Sequence, residues 1–252
     1  MGVLAIWRYP VKAMLGELLA TVEVEEAGLR GDRRFVVVDA VTGERIANKR
    51  GPTDPRLRAC RAELLDAGET DAALPLRVTL PDGTVLEGEE IEEALSELLE
   101  RRVRLQAFDA GGRGRLGAPA AFHDFAPVHV LAASTLTALR ASEPAHDWDP
   151  RRFRANLLLD DEPSGEPFAE DALVGRSLRG RAVALDVGFP TPRCVVPTRA
   201  TEDLPRDPAL LRTVVRRHRL AIEGFGSFGC LGAYAEVAAP GRLAVGDRLT
   251  VA

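Results

Sequence analysis

The sequence predicts a mainly β chain with several helices (α+β), arranged as two domains. Three observations carry this reading. Short runs rich in Val, Ile, Leu and Phe recur along the 252 residues, separated by turns containing Gly, Pro and Asp. One stretch, 89–102, changes to helical spacing. A polar glycine cluster, Gly111-Gly112-Arg113-Gly114-Arg115, interrupts the pattern and predicts a boundary. The expected domains are a β-rich one over 1–110 and a second one over 111–252.

In chain order, Val3 to Tyr9 predicts the first strand, and Gly16 to Glu25 continues as strand through loose alternation. Gly28-Leu29-Arg30-Gly31-Asp32 predicts a tight turn. Arg34 to Asp39 is a strand, and Thr42-Gly43 closes a hairpin into Arg45 to Lys49. Leu57 to Leu65 and Leu76 to Leu80 follow as strands, the second ending in the turn Pro81-Asp82-Gly83. In 89–102, Ile91, Leu95, Leu98 and Leu99 fall on one helical face while Glu92, Glu93 and Glu100 fall on others. The second domain opens with a strand at Val128 to Leu131. Ser134 is expected to cap a helix over Thr135 to Arg140. Phe153 to Asp160 and Ala182 to Val187 predict strands, and Asp207-Pro208 starts a helix running to His218. The four glycines of Gly224 to Gly232 predict sharp backbone bends. Tyr234 to Val237 and Arg248 to Val251 close the chain as strands.

The bulk numbers exclude several classes. Apolar residues make up 46% and charged ones 28%, and the net charge is −5 with arginines dispersed, which implies no nucleic-acid surface. No run is long enough to span a membrane, and the start Met1 to Arg8 lacks the long apolar core of a signal peptide. The cytoplasm is the expected compartment. Three widely spaced cysteines, Cys60, Cys194 and Cys230, form neither a disulfide framework nor a CxxC site.

Chemistry concentrates at Pro192-Arg193-Cys194-Val195-Val196-Pro197-Thr198. A thiolate is a soft metal ligand, and a neighbouring guanidinium favours the thiolate. Against this stands the plain reading of a packing cysteine in a Pro-stiffened loop. Cys60 reads as core, and Cys230 as packing or a second ligand. His123, His129, His146 and His218 lack metal-ligand spacing. His129 reads as a core residue, whereas His123-Asp124 could line a pocket mouth and move protons.

Further motifs join this one: Tyr9-Pro10-Val11-Lys12, Gly28-Leu29, Gly31-Asp32-Arg33-Arg34-Phe35, Leu131…Ser134, Arg152-Phe153-Arg154-Ala155-Asn156 and Val237…Pro240-Gly241…Val245-Gly246-Asp247. In this order and over nearly the whole chain, they resemble the MOSC family. The resemblance is to members with an N-terminal β-barrel domain, among them the amidoxime-reducing components. It implies an N-terminal β-rich domain followed by a MOSC β-barrel domain. It also implies a molybdenum cofactor, a molybdopterin whose tail is a phosphate or a nucleotide. The resemblance also implies pyridoxal phosphate binding as a family property.

By resemblance, Cys194 ligates molybdenum and is the catalytic position. Lys12, Arg33, Arg154 and Arg193 hold the anionic cofactor, as their chemistry suits. Asn156 and Ser134 orient the pterin. These residues come from both expected domains, which predicts a cofactor site at their junction. Two positions depart from the family pattern: Ala13 stands where serine is usual, and Ala155 where proline is common. The implied activity is reduction of N-hydroxylated small molecules such as amidoximes and hydroxylamines. Electrons are expected from a separate protein (a ferredoxin, flavin reductase or cytochrome b5-like donor), since no ferredoxin-type cysteine cluster is present. A second reading is a carrier of the cofactor, or of sulfur as a Cys194 persulfide. Plain structural roles stand beside each assignment: solvated charges for Lys12 and Arg33, an ion pair for Arg154, backbone satisfaction for Asn156 and a helix cap for Ser134.

Overall fold

The computed structural model describes residues 1–46, 54–65, 75–108, 122–161, 167–201 and 203–252. The glycine cluster at 111–115 and the end of the first hairpin lie outside these residues. In chain order the strands are β1 (Gly2–Arg8), β2 (Glu17–Leu19), β3 (Thr21–Glu25), β4 (Gly28–Leu29), β5 (Phe35–Asp39), β6 (Arg61–Leu64), β7 (Leu76–Thr79), β8 (Val85–Glu87), β9 (Val103–Ala107), β10 (Val128–Ala132), β11 (Leu157–Asp160), β12 (Ser177–Arg179), β13 (Ala184–Pro192), β14 (Arg219–Ile222), β15 (Gly226–Ala239), β16 (Gly241–Ala244) and β17 (Thr250–Val251). The α-helices are α1 (Pro55–Ala59), α2 (Glu90–Leu99), α3 (Ala133–Ser142) and α4 (Leu210–Arg217). The chain is thus mainly β with helices, an N-terminal β-rich part preceding the second domain.

By backbone proximity the chain forms two compact units whose segments alternate. One comprises Met1–Trp7, Leu19–Arg30 and Phe125–Ala252; the other comprises Arg8–Leu18 and Gly31–Asp124.

In the second of these units, β5 pairs antiparallel with β9, and β6-β7-β8 form a meander. Amphipathic α2 buries Ile91, Leu95 and Leu99 in the same core as Val37, Leu57, Val78 and Val103. The strand expected over Leu57 to Leu65 is instead helix α1 followed by β6. The reason is local: Asp54 accepts from Arg56 N–H as a side-chain cap, and Pro55 occupies the first helical turn. Cys60 ends that helix, fully buried. Strand β9 was not expected, because only Val103 of its five residues is buried and its alternation is weak.

In the other unit the sheet runs β17-β12-β13-β15-β10-β11-β1, with β14 on β15. Strands β10 and β11 run parallel, whereas β1–β11, β10–β15, β12–β13, β12–β17, β13–β15 and β14–β15 pair antiparallel. All five residues of β10 are buried, so it reads as a continuous apolar run. Buried His129 packs its ring 5.5 Å from that of Tyr234. Three of the four glycines expected to bend the backbone take positive φ: Gly224 at 74°, Gly226 at 105° and Gly232 at 82°. The bend at Glu223 to Phe225 closes a hairpin, and Gly226 onward forms the 14-residue strand β15. Gly229 permits close approach instead: a Cβ on it would stand 2.8 Å from Val215 Cγ2 in α4. The Phe153 to Asp160 strand is also shorter than expected. A 3₁₀ turn covers Pro150–Phe153, Arg154 is left-handed at φ 53°, and only then does β11 begin.

Candidate functional site

Cys194 lies between the end of β13 and a 3₁₀ turn over Val196–Thr198. Both flanks of its loop are pinned. On one side Arg193 N–H donates to Gly229 O at 2.8 Å, extending the β13–β15 ladder; on the other Thr198 Oγ1 donates to Val195 O at 2.7 Å. The Arg193 guanidinium donates from Nη2 to Phe153 O at 2.9 Å and lies 5.4 Å from the Phe153 ring centroid. The two sequence motifs Arg193-Cys194 and Arg152-to-Asn156 are therefore joined directly.

Arg152 is the residue that sequence reasoning missed. Its side chain is completely buried, donates to Pro205 O at 3.0 Å and Pro197 O at 3.5 Å, and sits 3.6 Å from Asp147. It ties down the segment following Cys194. Nothing in residue type separates Arg152 from Arg154 two positions on; Arg152 is buried, whereas Arg154 is half-buried and left-handed.

Asn156 is fully buried. Its Oδ1 accepts from His129 N–H at 3.1 Å and its Nδ2 donates to Trp7 O at 3.2 Å, while its backbone pairs with the same two residues. The amide thus knits β10, β11 and β1 together. Ser134 is not the helix cap expected of it: α3 begins at Ala133 and makes no side-chain cap. Ser134 donates its hydroxyl to Asp161 Oδ2, and its N–H donates to Asp161 Oδ1 at 3.1 Å. A second carboxylate, buried Glu170, accepts from Ala132 N–H at 2.7 Å and from Thr135 Oγ1 at 2.8 Å. The start of α3 is therefore served by two carboxylates of the chain itself. Burial pushes the Glu170 carboxyl up to about 7.

In the unit containing Arg8–Leu18 and Gly31–Asp124, Lys12 Nζ donates to Phe122 O at 2.8 Å and to Asp124 Oδ1 at 2.9 Å. Arg33 is left-handed at φ 50°, lies 5.1 Å from the Tyr9 ring centroid and pairs with Asp32. Asp32 also accepts from Tyr9 N–H at 2.7 Å. His123 Nδ1 is 3.7 Å from Asp32 Oδ2. Burial is the main reason its imidazole is pushed down to about 4, so the ring is neutral at neutral pH.

The sequence divides between two family models. The MOSC N-terminal beta barrel domain matches residues 1–114, and the MOSC domain matches residues 118–250. The chain belongs to the MOSC family. No curated protein matches it. Among solved structures it is similar to the YuaD protein of Bacillus subtilis, at 10% identity over 99% of this chain and 94% of that one, with a TM-score of 0.46. It is also similar to YiiM from Geobacillus stearothermophilus, at 15% identity over 50% of this chain and 54% of that one, with a TM-score of 0.37. A hypothetical protein matches at 12% identity over all of this chain and 67% of its own, with a TM-score of 0.44. The chain thus spans about half the length of the YiiM structure.

Within this MOSC chain the three thiols are not equivalent. Cys60 and Cys230 are buried, and burial raises them to about 12 and about 11, which keeps them as inert thiols. Cys194 alone is partly exposed. Among the described residues no cluster of three or more His, Cys, Asp or Glu is arranged to hold a metal. A single partly exposed thiolate fits a metal that is carried by its own organic chelate and needs one sulfur ligand from the protein. Buried Thr191, three residues before Cys194, has a hydroxyl with no hydrogen-bond partner among the described residues. Among those residues no helix is long and apolar enough to cross a membrane.

Proposed function

We propose that this MOSC protein binds molybdenum cofactor and reduces N-hydroxylated small molecules, drawing electrons from a separate redox protein. The observation that carries the reading is the single half-exposed thiol, Cys194, in a loop whose preceding arginine is anchored to Phe153. Cys194 would supply the thiolate ligand. Lys12, Arg33, Arg154 and Arg193 would supply positive charge for the anionic cofactor. Asn156 and Ser134 are the proposed pterin-orienting residues, acting through the backbone and carboxylate partners described above.

When bound, the cofactor supplies two-electron oxygen-atom chemistry. Reduction of a hydroxylamine to an amine consumes two electrons and two protons and releases water. The chain's own part is to hold Cys194 rigid and to present fixed positive charge. Arg152 keeps the segment after Cys194 in place through Pro197 O and Pro205 O, which limits the reorganisation of the ligand.

The test measures molybdenum and pterin per chain after expression in a cofactor-producing host, for the native protein and for Cys194→Ser. Near-stoichiometric cofactor is expected in the native protein. Cys194→Ser should keep pterin and change the metal's absorption spectrum. A native protein with neither metal nor pterin, from a host that makes both, overturns the reading. A labile sulfur on Cys194 without turnover would replace it with the carrier function.

A further inference from the structure

Lys12 and Arg33 each already hold a carboxylate, and the two ion pairs differ in kind. The Asp32 side chain has no exposure, and it bridges Arg33 and the Tyr9 N–H with His123 close by. Separating a buried, hydrogen-bonded pair strands a charge in a poorly solvated place. Asp32 therefore stays on Arg33. Asp124 is different: its side chain is 32% exposed, Lys12 is 20% exposed, and they meet at 2.9 Å. Partly solvated pairs of this kind are weak and open to exchange.

Lys12 is also anchored independently of Asp124. Its Nζ donates to Phe122 O, and its backbone N–H donates to Phe35 O at 2.8 Å. An ammonium has three donors. A replacement oxyanion can thus take the place of Asp124 while the Phe122 contact keeps Nζ in position. Lys12 and Arg33 face Asp32 and Asp124, and the buried His123 ring is neutral.

We propose that Asp124 is an exchangeable internal counter-ion on Lys12, displaced when an oxyanion of the phosphate or pyrophosphate class binds there, while Arg33 remains paired with Asp32. The inference rests on the reading of Lys12 as an anion contact and adds how that contact is regulated. Lys12 becomes the residue that senses the anion. Arg33 keeps Asp32 as its partner and adds its charge without exchanging it. Asp124 sets how much anion is needed to displace it.

The experiment titrates inorganic pyrophosphate into the whole chain at low ionic strength and follows binding by calorimetry. The proteins are wild type, Asp124→Asn, Asp124→Ser, Lys12→Met, Lys12→Met with Asp124→Asn, and Glu44→Gln as an exposed charge-removal control. Both Asp124 variants should bind about fivefold tighter than wild type, the scale of a partly exposed ion pair. Lys12→Met should abolish that gain in the double variant, and Glu44→Gln should change affinity less than twofold. The proposal is overturned if both Asp124 variants bind like wild type, if neither binds, or if the gain survives without Lys12. Molybdenum and pterin content report on the Cys194 reading separately, so the two failures remain distinguishable.

Discussion

Arg193 Nη2 donates to Phe153 O at 2.9 Å while its guanidinium faces the Phe153 ring, so one side chain joins two stretches forty residues apart in sequence. The bond ties the residue before Cys194 to the 3₁₀ turn before Arg154.

Arg193→Ala should therefore loosen the Cys194 loop. Loss of a charged hydrogen bond and a ring contact is expected to cost about 2 kcal/mol in denaturant unfolding. Alkylation of Cys194 by iodoacetamide should accelerate. Arg193→Lys should recover only part of the stability, since an ammonium lacks the planar fork. Equal alkylation rates in all three proteins would show that Arg193 does not fix the loop.

His123 makes stability depend on acid. Its imidazole takes a proton near 6.5 in the unfolded chain and near 4 in the folded one, with desolvation as the main cause. Between those values the unfolded state holds more protons, so stability falls as the pH falls through this window. The full effect is about 3 kcal/mol. In His123→Gln this component should vanish, and urea titrations at pH 7 and pH 4.5 measure it.

Glu170 works in the opposite sense. Its carboxyl rises from 4.5 to about 7 on folding. The stabilisation is fully present below 4.5 and is lost as the pH rises through about 7. Glu170→Gln keeps an oxygen for the Ala132 N–H and carries no charge. Relative to wild type, it should gain stability between pH 4.5 and pH 8. Because the His123 and Glu170 windows overlap with opposite slopes, each must be read from its own variant; a wild-type pH profile alone would show only their difference.

Two glycine substitutions separate backbone strain from steric contact. Gly232 has φ +82°, and a Cβ there would lie 2.3 Å from His129 Nε2 and 2.9 Å from Val130 O. Gly232→Ala should destabilise the chain by about 3 kcal/mol or more, because β10 and β15 must move apart. Gly43 has φ +70° with nothing within 4 Å of its Cβ position. Gly43→Ala should cost about 1–2 kcal/mol, the penalty of the left-handed region alone. Thermal or urea unfolding of both variants tests the contrast.

The sequence by itself determined the mainly β architecture, the amphipathic helix α2 and the family. These follow from information local to each stretch: alternation, helical spacing, turn residues and short motifs in a fixed order. It also pointed to Asp207, whose carboxylate accepts from Ala209 and Leu210 N–H at the start of α4. Local reading failed where a cap outweighed apolar alternation, as at Asp54-Pro55, and where a glycine served close packing of α4 on β15 instead of a bend, as at Gly229. Only the tertiary structure decided the partners of the charged and polar residues. Lys12 meets Asp124 across 112 positions, Ser134 meets Asp161 across 27, and Arg152 meets Pro205 across 53. A charged side chain's environment is set by which distant backbone and carboxylate groups packing brings beside it. For that reason Arg152 and Arg154, alike in type and two residues apart, are buried and half-buried respectively.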